Sequence, residues 1–378
     1  MPGGWLADRF GGKWLYGGGV LLSAVVSLLT PAAARTHIVV LIAIHVLSGL
    51  GESAMLPASY SLIARWTAPR YHSVVATVIF SGGNAGVISG TFLAGVYCDH
   101  GFAGGWPSVF YIFGAVGCVW SAAFFLLCYD SPATHPRITA AERRYWETTI
   151  GTMDLTAHPP TPWRKFLTSV PVWALTIAFF AAAWGYFTLM ICLPLYMHDV
   201  LGFDITSNGA FSALPFAIAL VAGPASGMLV DWLRTRFSTT FVRKLVCLVA
   251  YSLIAFFLLL VGYAGCDRAL DVAILCIVAT CSAIGYGVVA VNQLDLAPLH
   301  AGKIMGLTST IASLGAVAGL HAVGELTVER SSRSDWQHVF FLMSAVYIVG
   351  TIVFIISGSG ERQSWADDTS SDEALDRK

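Results

Sequence analysis

One carboxylate interrupts an otherwise apolar run. Glu52 sits near the middle of IVVLIAIHVLSGLGESAMLPASYSLIA, residues 38–64. A charge at that depth is costly against lipid, so such a residue ordinarily faces a cavity and marks a substrate or proton path. Burial would raise its pKa, which suits a group that takes up and releases a proton. The alternative is a packing carboxyl hydrogen-bonded to a neighbour. His45 lies seven residues earlier, two helical turns or about 10.5 Å up the same face. Imidazole is cationic only part of the time near neutral pH, so His45 reads either as a pH-dependent anion contact or as packing.

A second set of charged residues repeats at fixed spacing. PGGWLADRFGGK, Pro2 to Lys13, has Gly4 and Asp8 four apart with Leu6 between them, then Arg9 and Lys13. SGMLVDWLR, Ser226 to Arg234, has Gly227 and Asp231 four apart with Leu229 between them. Each stretch precedes a new apolar run, and its glycines allow a tight turn. Polar and aromatic candidates inside the runs are fewer. Trp184 and Tyr186 could line a cavity or serve as packing and interface anchors. Asn84 lies on a small-residue face with Ser81, Gly82, Gly83, Gly86, Gly90 and Gly95, which suits close helix approach or a backbone-lined cavity. Asn292 and Gln293 precede Asp295 near the end of another run, and Thr308, Ser309, Thr310 and Ser313 put hydroxyls on the next. His321 and Glu325 read as a solvated helix end.

The elements that must position these residues follow from composition. Of 378 residues, 56% are hydrophobic and 11% charged, with mean hydropathy +0.70; soluble domains carry about 25% charged residues. Ten apolar runs are long enough to cross a bilayer as helix, which needs about 20 residues: 14–33, 38–64, 73–97, 107–128, 168–196, 209–230, 245–265, 270–294, 304–326 and 337–357. Barrel strands would be shorter and alternating. The class is therefore an all-α polytopic membrane protein. Lys and Arg fall outside the runs or at their ends. With sides alternating, 17 lie on the face of the first loop and 4 on the other, which places the first loop, the central loop and the C-terminus in the cytoplasm. The eight Cys show no paired spacing in outside loops, so neither a disulfide framework nor a zinc site is indicated.

Four runs precede a hydrophilic stretch and six follow it. The expected division is 1–129, an N-terminal helical half; 130–167, a cytoplasmic central loop; 168–358, a six-helix half; and 359–378, an acidic tail. In the loop, Thr139 and Glu142 have capping-box spacing, and Trp146 and Ile150 suit a short interfacial helix; a plain tether is the alternative. Parallel six-span repeats build one large class of transporters. If the halves are such repeats, about two spans are expected before Gly4, and the chain reads as N-terminally truncated.

PGGWLADRFGGKW resembles the signature loop of the major facilitator superfamily. GLGESAMLPA (Gly49–Ala58), WPSVFYIFG (Trp106–Gly114), PVWALTIAFF (Pro171–Phe180), LPLYMHDVLGFDI (Leu193–Ile205), NQLDLAP (Asn292–Pro298) and GSGERQSWA (Gly358–Ala366) resemble, in the same order, the branch containing sialin, the vesicular glutamate transporters and the sodium–phosphate cotransporters (solute carrier family 17). The resemblance implies two six-helix repeats, here lacking helix 1 and most of helix 2. It implies alternating-access transport of a small anion (sialate, an acidic amino acid or phosphate) driven by protons or sodium, with Glu52 coupling or gating. Asp8, Arg9 and Lys13, with Gly4, would latch helix ends, as would Asp231 and Arg234. His45 stands where relatives usually carry an Arg anion anchor, and Ala182 stands where vesicular glutamate transporters carry another. Substrate contacts are expected from His45, Trp184, Tyr186, Asn84 and Asn292. A non-transporting chain that needs a partner is the second reading. No nucleotide loop, metal cluster or catalytic triad spacing suggests an enzyme or a cofactor, and no nucleic-acid partner is indicated. The membrane would be the plasma membrane or that of a lysosome or vesicle.

Overall fold

The structure, a computed structural model, describes residues 6, 11–142, 144, 162–203, 205–263, 267–327 and 332–366. Among them, ten helical stretches are long and apolar enough to cross a membrane, matching the ten apolar runs in order. The helices are α1 (Gly12–Thr36), α2 (Ile38–Glu52), α3 (Met55–Trp66), α4 (His72–His100), α5 (Trp106–Leu127), α6 (Trp163–Thr168), α7 (Val170–Asp199), α8 (Ile205–Leu233), α9 (Thr239–Tyr263), α10 (Arg268–Leu296), α11 (Ala301–Thr327) and α12 (Arg333–Ser357).

Local chemistry sets the ends. Gly11, at φ 89°, starts α1, and the Asp130 carboxylate accepts the free Lys13 N–H at 2.8 Å. His37 Nδ1 accepts the Val39 N–H at the start of α2. Asp267 caps α10 through the N–H groups of Ala269 and Leu270, and Ser332 and Asp335 form the capping box of α12, a pairing that satisfies orphan donors in both directions. The expected single run 38–64 is two helices, broken at Ser53 and Ala54. Pro57 explains the break. It has no N–H to give the Ser53 carbonyl, and it sits in the first turn of the new helix, where that donor is not required. The Thr139–Glu142 capping box forms, with Glu142 Oε2 accepting from the Thr139 N–H and hydroxyl at 2.9 Å each. Trp146 and Ile150 lie outside the described residues.

The chain divides into two compact units. Unit 1 holds residues 1–69, 90–161 and 298–307. In it α1 packs against α2, α3 and α5. Aromatic contacts join the start of α1 to the end of α5, with Trp14 on Phe125 at 5.3 Å and Tyr16 on Phe124 at 5.5 Å.

Unit 2 holds residues 70–89, 162–297 and 308–378. Here α9 packs on α12 and α10, and α7 on α12, α10 and α8. Its centre is largely apolar, with buried tyrosines set among the aliphatic side chains. Tyr251 and Tyr347 meet edge-on at 5.1 Å, and the Tyr251 hydroxyl donates to the Ala178 carbonyl. After α12 the chain folds back as a strap. Gly360 N–H donates to Thr240, Gln363 N–H donates to the Leu296 carbonyl, and Trp365 packs on Phe166.

Arg243 lies just before the apolar run 245–265, yet α9 already begins at Thr239 and buries Arg243 to 1% exposure. The apolar run hides this because the helix extends past it into residues that bury polar atoms in pairs.

Candidate functional site

Unit 1 places the coupling candidate. Glu52 is the last residue of α2, on the exposed side of the unit. The sequence led us to expect a buried carboxyl in mid-helix; the α2–α3 break instead leaves it at a helix end. Its Oε1 accepts from the hydroxyls of Ser48, at 2.9 Å, and Ser23, at 2.7 Å, and the two serine oxygens lie 3.1 Å apart. Ser48 is one turn before Glu52 on the same helix. Ser23 comes from α1, which closes on α2 where two glycines meet: a Cβ on Gly19 would stand 2.7 Å from the Gly51 carbonyl oxygen. Ser23 carried no signal in the sequence, since a lone serine in an apolar run has no pattern. His45 is also exposed, and its Nδ1 bonds the Leu41 carbonyl of its own helix at 2.9 Å. The structure does not pair it with Glu52.

Lys13 stays in unit 1, its ammonium 4.7 Å from the Tyr129 ring centre. Gly4, Asp8 and Arg9 lie outside the described residues.

Unit 2 brings Asn84 and Tyr186 together. The Tyr186 hydroxyl donates to Asn84 Oδ1 at 3.0 Å, and its ring stacks on Tyr286 at 5.7 Å. Phe80 and Phe179 pack on Tyr286 at 4.9 and 4.7 Å. This is a polar contact set in an aromatic wall. Trp184, two residues from Tyr186 and so on the other side of α7, packs on Phe180 and against Gly319 of α11. Asn292 does not join them. It is fully buried, and its amide donates to the Ser359 carbonyl at 2.9 Å, holding the strap. Its amide nitrogen is engaged on the strap, while its Oδ1 is buried with no hydrogen-bond partner among the described residues.

Asp231 and Arg234 belong to a closed ring of contacts in unit 2. Asp231 Oδ2 accepts the Val74 N–H at 2.9 Å, satisfying a first-turn donor of α4 that has no partner within its own helix. Arg234 lies 3.6 Å from Asp231 and donates to Asp295 at 3.1 Å. Arg243 Nε donates to the other Asp295 oxygen at 2.8 Å, and its Nη1 donates to Ser73 Oγ at 3.1 Å. The ring thus runs from α4 through α8 and α10 to α9 and back to α4. Gly227, four residues before Asp231, is where α8 meets α4: an added Cβ would lie 2.8 Å from the Ser73 carbonyl oxygen. Two carboxylates and two guanidiniums balance. Sequence reasoning named Asp231 and Arg234 and missed Arg243 and Ser73. The available signal was an acid and a cation near the same end of neighbouring runs.

Comparison with known proteins defines the class first. The proton:xylose symporter bound to 6-bromo-6-deoxy-D-glucose superposes with a TM-score of 0.74 at 13% identity, covering 95% of this chain and 83% of that one. The Escherichia coli fucose:proton symporter gives 0.61 at 14% identity, covering 93% and 86%. At that identity the likeness shows the fold alone, a multi-pass helical membrane fold. A sequence profile of the Major Facilitator Superfamily matches residues 1–320. Vesicular glutamate transporter 3 of Danio rerio is 37% identical over 380 residues, 99% of this chain and 64% of that protein. Human vesicular glutamate transporter 2 is 36% identical over 97% of this chain and 63% of its own length. A putative inorganic phosphate cotransporter of Drosophila ananassae is 37% identical over 99% of this chain and 78% of its length. The chain belongs to the major facilitator superfamily, in the branch of the vesicular glutamate and phosphate transporters. It spans about 64% of the length of the vesicular glutamate transporters it matches.

Proposed function

We propose that the chain carries the transport machinery of a secondary transporter for small anions, coupled to protons or sodium by alternating access. It is a carrier and not an enzyme. The observation that carries this reading is the 36–37% identity over 97–99% of the chain with relatives named for glutamate and phosphate transport. Organic anions such as sialate or acidic amino acids, and inorganic phosphate, are the substrates to test. Glu52 is the coupling acid: its two serine hydroxyls satisfy the carboxylate, and losing or gaining a proton changes whether that oxygen can hold both α1 and α2. Asn84 and Tyr186 supply polar contacts for substrate, with Trp184 and His45 as further candidates. Gly4, Asp8, Arg9, Lys13, Asp231 and Arg234 act as latches at the helix ends. The bias of Lys and Arg supports a cytoplasmic C-terminus, in the plasma membrane or in a lysosomal or vesicle membrane.

The test is uptake of labelled glutamate, phosphate and sialate into proteoliposomes under separately imposed proton, sodium and voltage gradients. Glu52→Gln should abolish gradient-driven uptake while leaving counterflow exchange. Proton-driven uptake by Glu52→Gln equal to the wild type across roughly pH 5 to 8, a range that brackets histidine titration, would remove Glu52 from coupling. No uptake of any anion by the wild type would overturn the transport reading itself.

A further inference from the structure

Glu52 carries its hydrogen bonds on one oxygen. Both serine hydroxyls reach Oε1, Ser23 at 2.7 Å and Ser48 at 2.9 Å, and among the described residues nothing bonds Oε2. We propose that Ser23 of α1 is a positioning residue for Glu52: it holds the ionised carboxylate by Oε1, leaves Oε2 to take the proton, and accepts the Ser48 hydroxyl when that proton arrives. This rests on the reading of Glu52 as the coupling acid and adds the residue through which α1 senses its charge.

Each serine hydroxyl has one hydrogen to donate and two lone pairs to accept with, whereas an ionised carboxylate only accepts. Bonds to the ionised group are roughly twice as strong as neutral ones. With Glu52 charged, both hydroxyls therefore donate to Oε1, and the two serine oxygens stand 3.1 Å apart with no hydrogen between them. That spacing is itself hydrogen-bond distance. When a proton from the exposed side binds Oε2, the O–H bond forms there and Oε1 becomes a neutral carbonyl. Ser48 then turns its hydrogen to Ser23 Oγ, while Ser23 keeps the shorter bond to Oε1. The charged state has one strong bond crossing from α1 to α2, and the neutral state has two weaker ones. Ser23 takes part in every one of them.

The backbone fixes Ser23 in place. Gly19, one turn earlier, lies against Gly51: an added Cβ would stand 2.7 Å from the Gly51 carbonyl oxygen, and one on Gly51 would stand 3.0 Å from Leu22. Ser27, one turn later, is committed to α5, donating to the Phe110 carbonyl at 3.2 Å. No cation shares the work. The elements packed on α2 are α1 and α3. Their titratable groups are Lys13, Tyr16 and Arg35 on α1 and Tyr60 and Arg65 on α3. Lys13 and Arg35 are ten and twelve residues from Ser23, and Tyr60 and Arg65 are eight and thirteen from Glu52. On α2 itself His37 caps the first turn and His45 bonds the Leu41 carbonyl. Among the described residues none of these bonds Glu52, so the two hydroxyls are what holds its charge.

The experiment is modification of Glu52 by dicyclohexylcarbodiimide, which adds to the protonated acid, read by peptide mass spectrometry on the full chain in detergent. Glu52 is exposed, so the reagent reaches it. A hydrogen bond to the charged form favours that form. Ser23→Ala removes one and should raise the labelling rate at about pH 7 roughly tenfold, with the pH profile displaced by about one unit. Ser23→Val should do the same. Ser23→Thr has the shape of valine but keeps the hydroxyl, and should stay within about twofold of the wild type. Ser27→Ala should label as the wild type does. Equal rates in Ser23→Thr and Ser23→Val, whether both raised or both unchanged, overturn the role of the hydroxyl. A rise in Ser27→Ala as large as in Ser23→Ala means loosening of α1 and overturns it as well. Labelling needs no transport, so the two readings fail separately: Glu52→Gln that still accumulates anion on a proton gradient removes Glu52 from coupling and leaves the Ser23 result standing.

Discussion

Asp295→Asn is the sharpest test of the ring that closes on α4. Asp295 is 5% exposed and holds two guanidiniums, Arg243 at 2.8 Å with 1% exposure and Arg234 at 3.1 Å with 16%. Neutralising it leaves a fully buried cation beside a part-exposed one, with Asp231 still 3.6 Å from Arg234. Removing one partner of a buried pair costs about 3–5 kcal/mol, because a desolvated charge is left behind. Arg243→Met should cost less, since Asp295 keeps Arg234, and Arg234→Met least, because its site is wetter. Replacing both members, Asp295→Leu with Arg243→Met, removes the uncompensated charge and should recover most of the loss, since a well-packed apolar pair often equals a buried ion pair. The assay is reversible denaturant unfolding in detergent, arranged as a double-mutant cycle. A coupling energy of at least about 2 kcal/mol, near the upper part of the range for contacting residues, is expected. Additive single effects, or a loss under about 1 kcal/mol for Asp295→Asn, would show that water reaches the pair and that the ring is not a buried unit.

Asp231→Ala should expose the Val74 amide, whose hydrogen bond to Asp231 measures 2.9 Å. The loss of a cap is worth about 1 kcal/mol, so hydrogen exchange at Val74 should accelerate about fivefold, and an unchanged rate would refute the capping role. The Glu142 carboxyl lies outside the spans, and its pKa is lowered, first by the Thr139 backbone N–H and then by the Thr139 hydroxyl. A depressed folded value means the capping box stabilises fully above the ordinary pKa of about 4.3 and is lost as pH falls through the folded value. A carbon NMR titration should put the Glu142 midpoint below that ordinary value, and Thr139→Ala, which removes the hydroxyl but keeps the backbone N–H, should raise it only part of the way back.

How much of this was legible depended on whether a residue's partner lay within reach of the pattern. The ten spans and the capping box were readable because hydropathy and i to i+3 spacing are local. Tyr186 with Asn84 was half-readable: both were singled out, but their 102-residue separation left nothing in the sequence to join them. The Asn292 bond to the strap was not readable, because an amide inside an apolar run signals only that some polar partner exists, and the Ser359 carbonyl is a backbone atom with no side-chain signature. The burial of Arg243 was not readable for a related reason. A hydropathy window ends a span where charge begins, whereas a helix continues as long as its charges find burial partners.

The spacing of Gly227 and Asp231 now has a physical content that its two copies in the sequence lacked. Four residues is one turn, so both groups sit on the same face of α8 and address the same object, the first turn of α4. The glycine does the approaching: with no Cβ it admits the Ser73 carbonyl oxygen, where a methyl would come within 2.8 Å. The carboxylate does the holding, because that approach brings an orphan N–H of α4 within reach. Neither works alone. A glycine without the acid would permit contact with nothing to fix it, and an acid without the glycine would stand too far off to accept the hydrogen bond. Arg234, three residues on, ties the acid to Asp295 and so into the ring. Such a contact is strong while formed and breaks as one piece, because moving α4 away removes the cap, the close approach and the Ser73 bond to Arg243 together. The latch role proposed for Asp231 and Arg234 would need that all-or-none character.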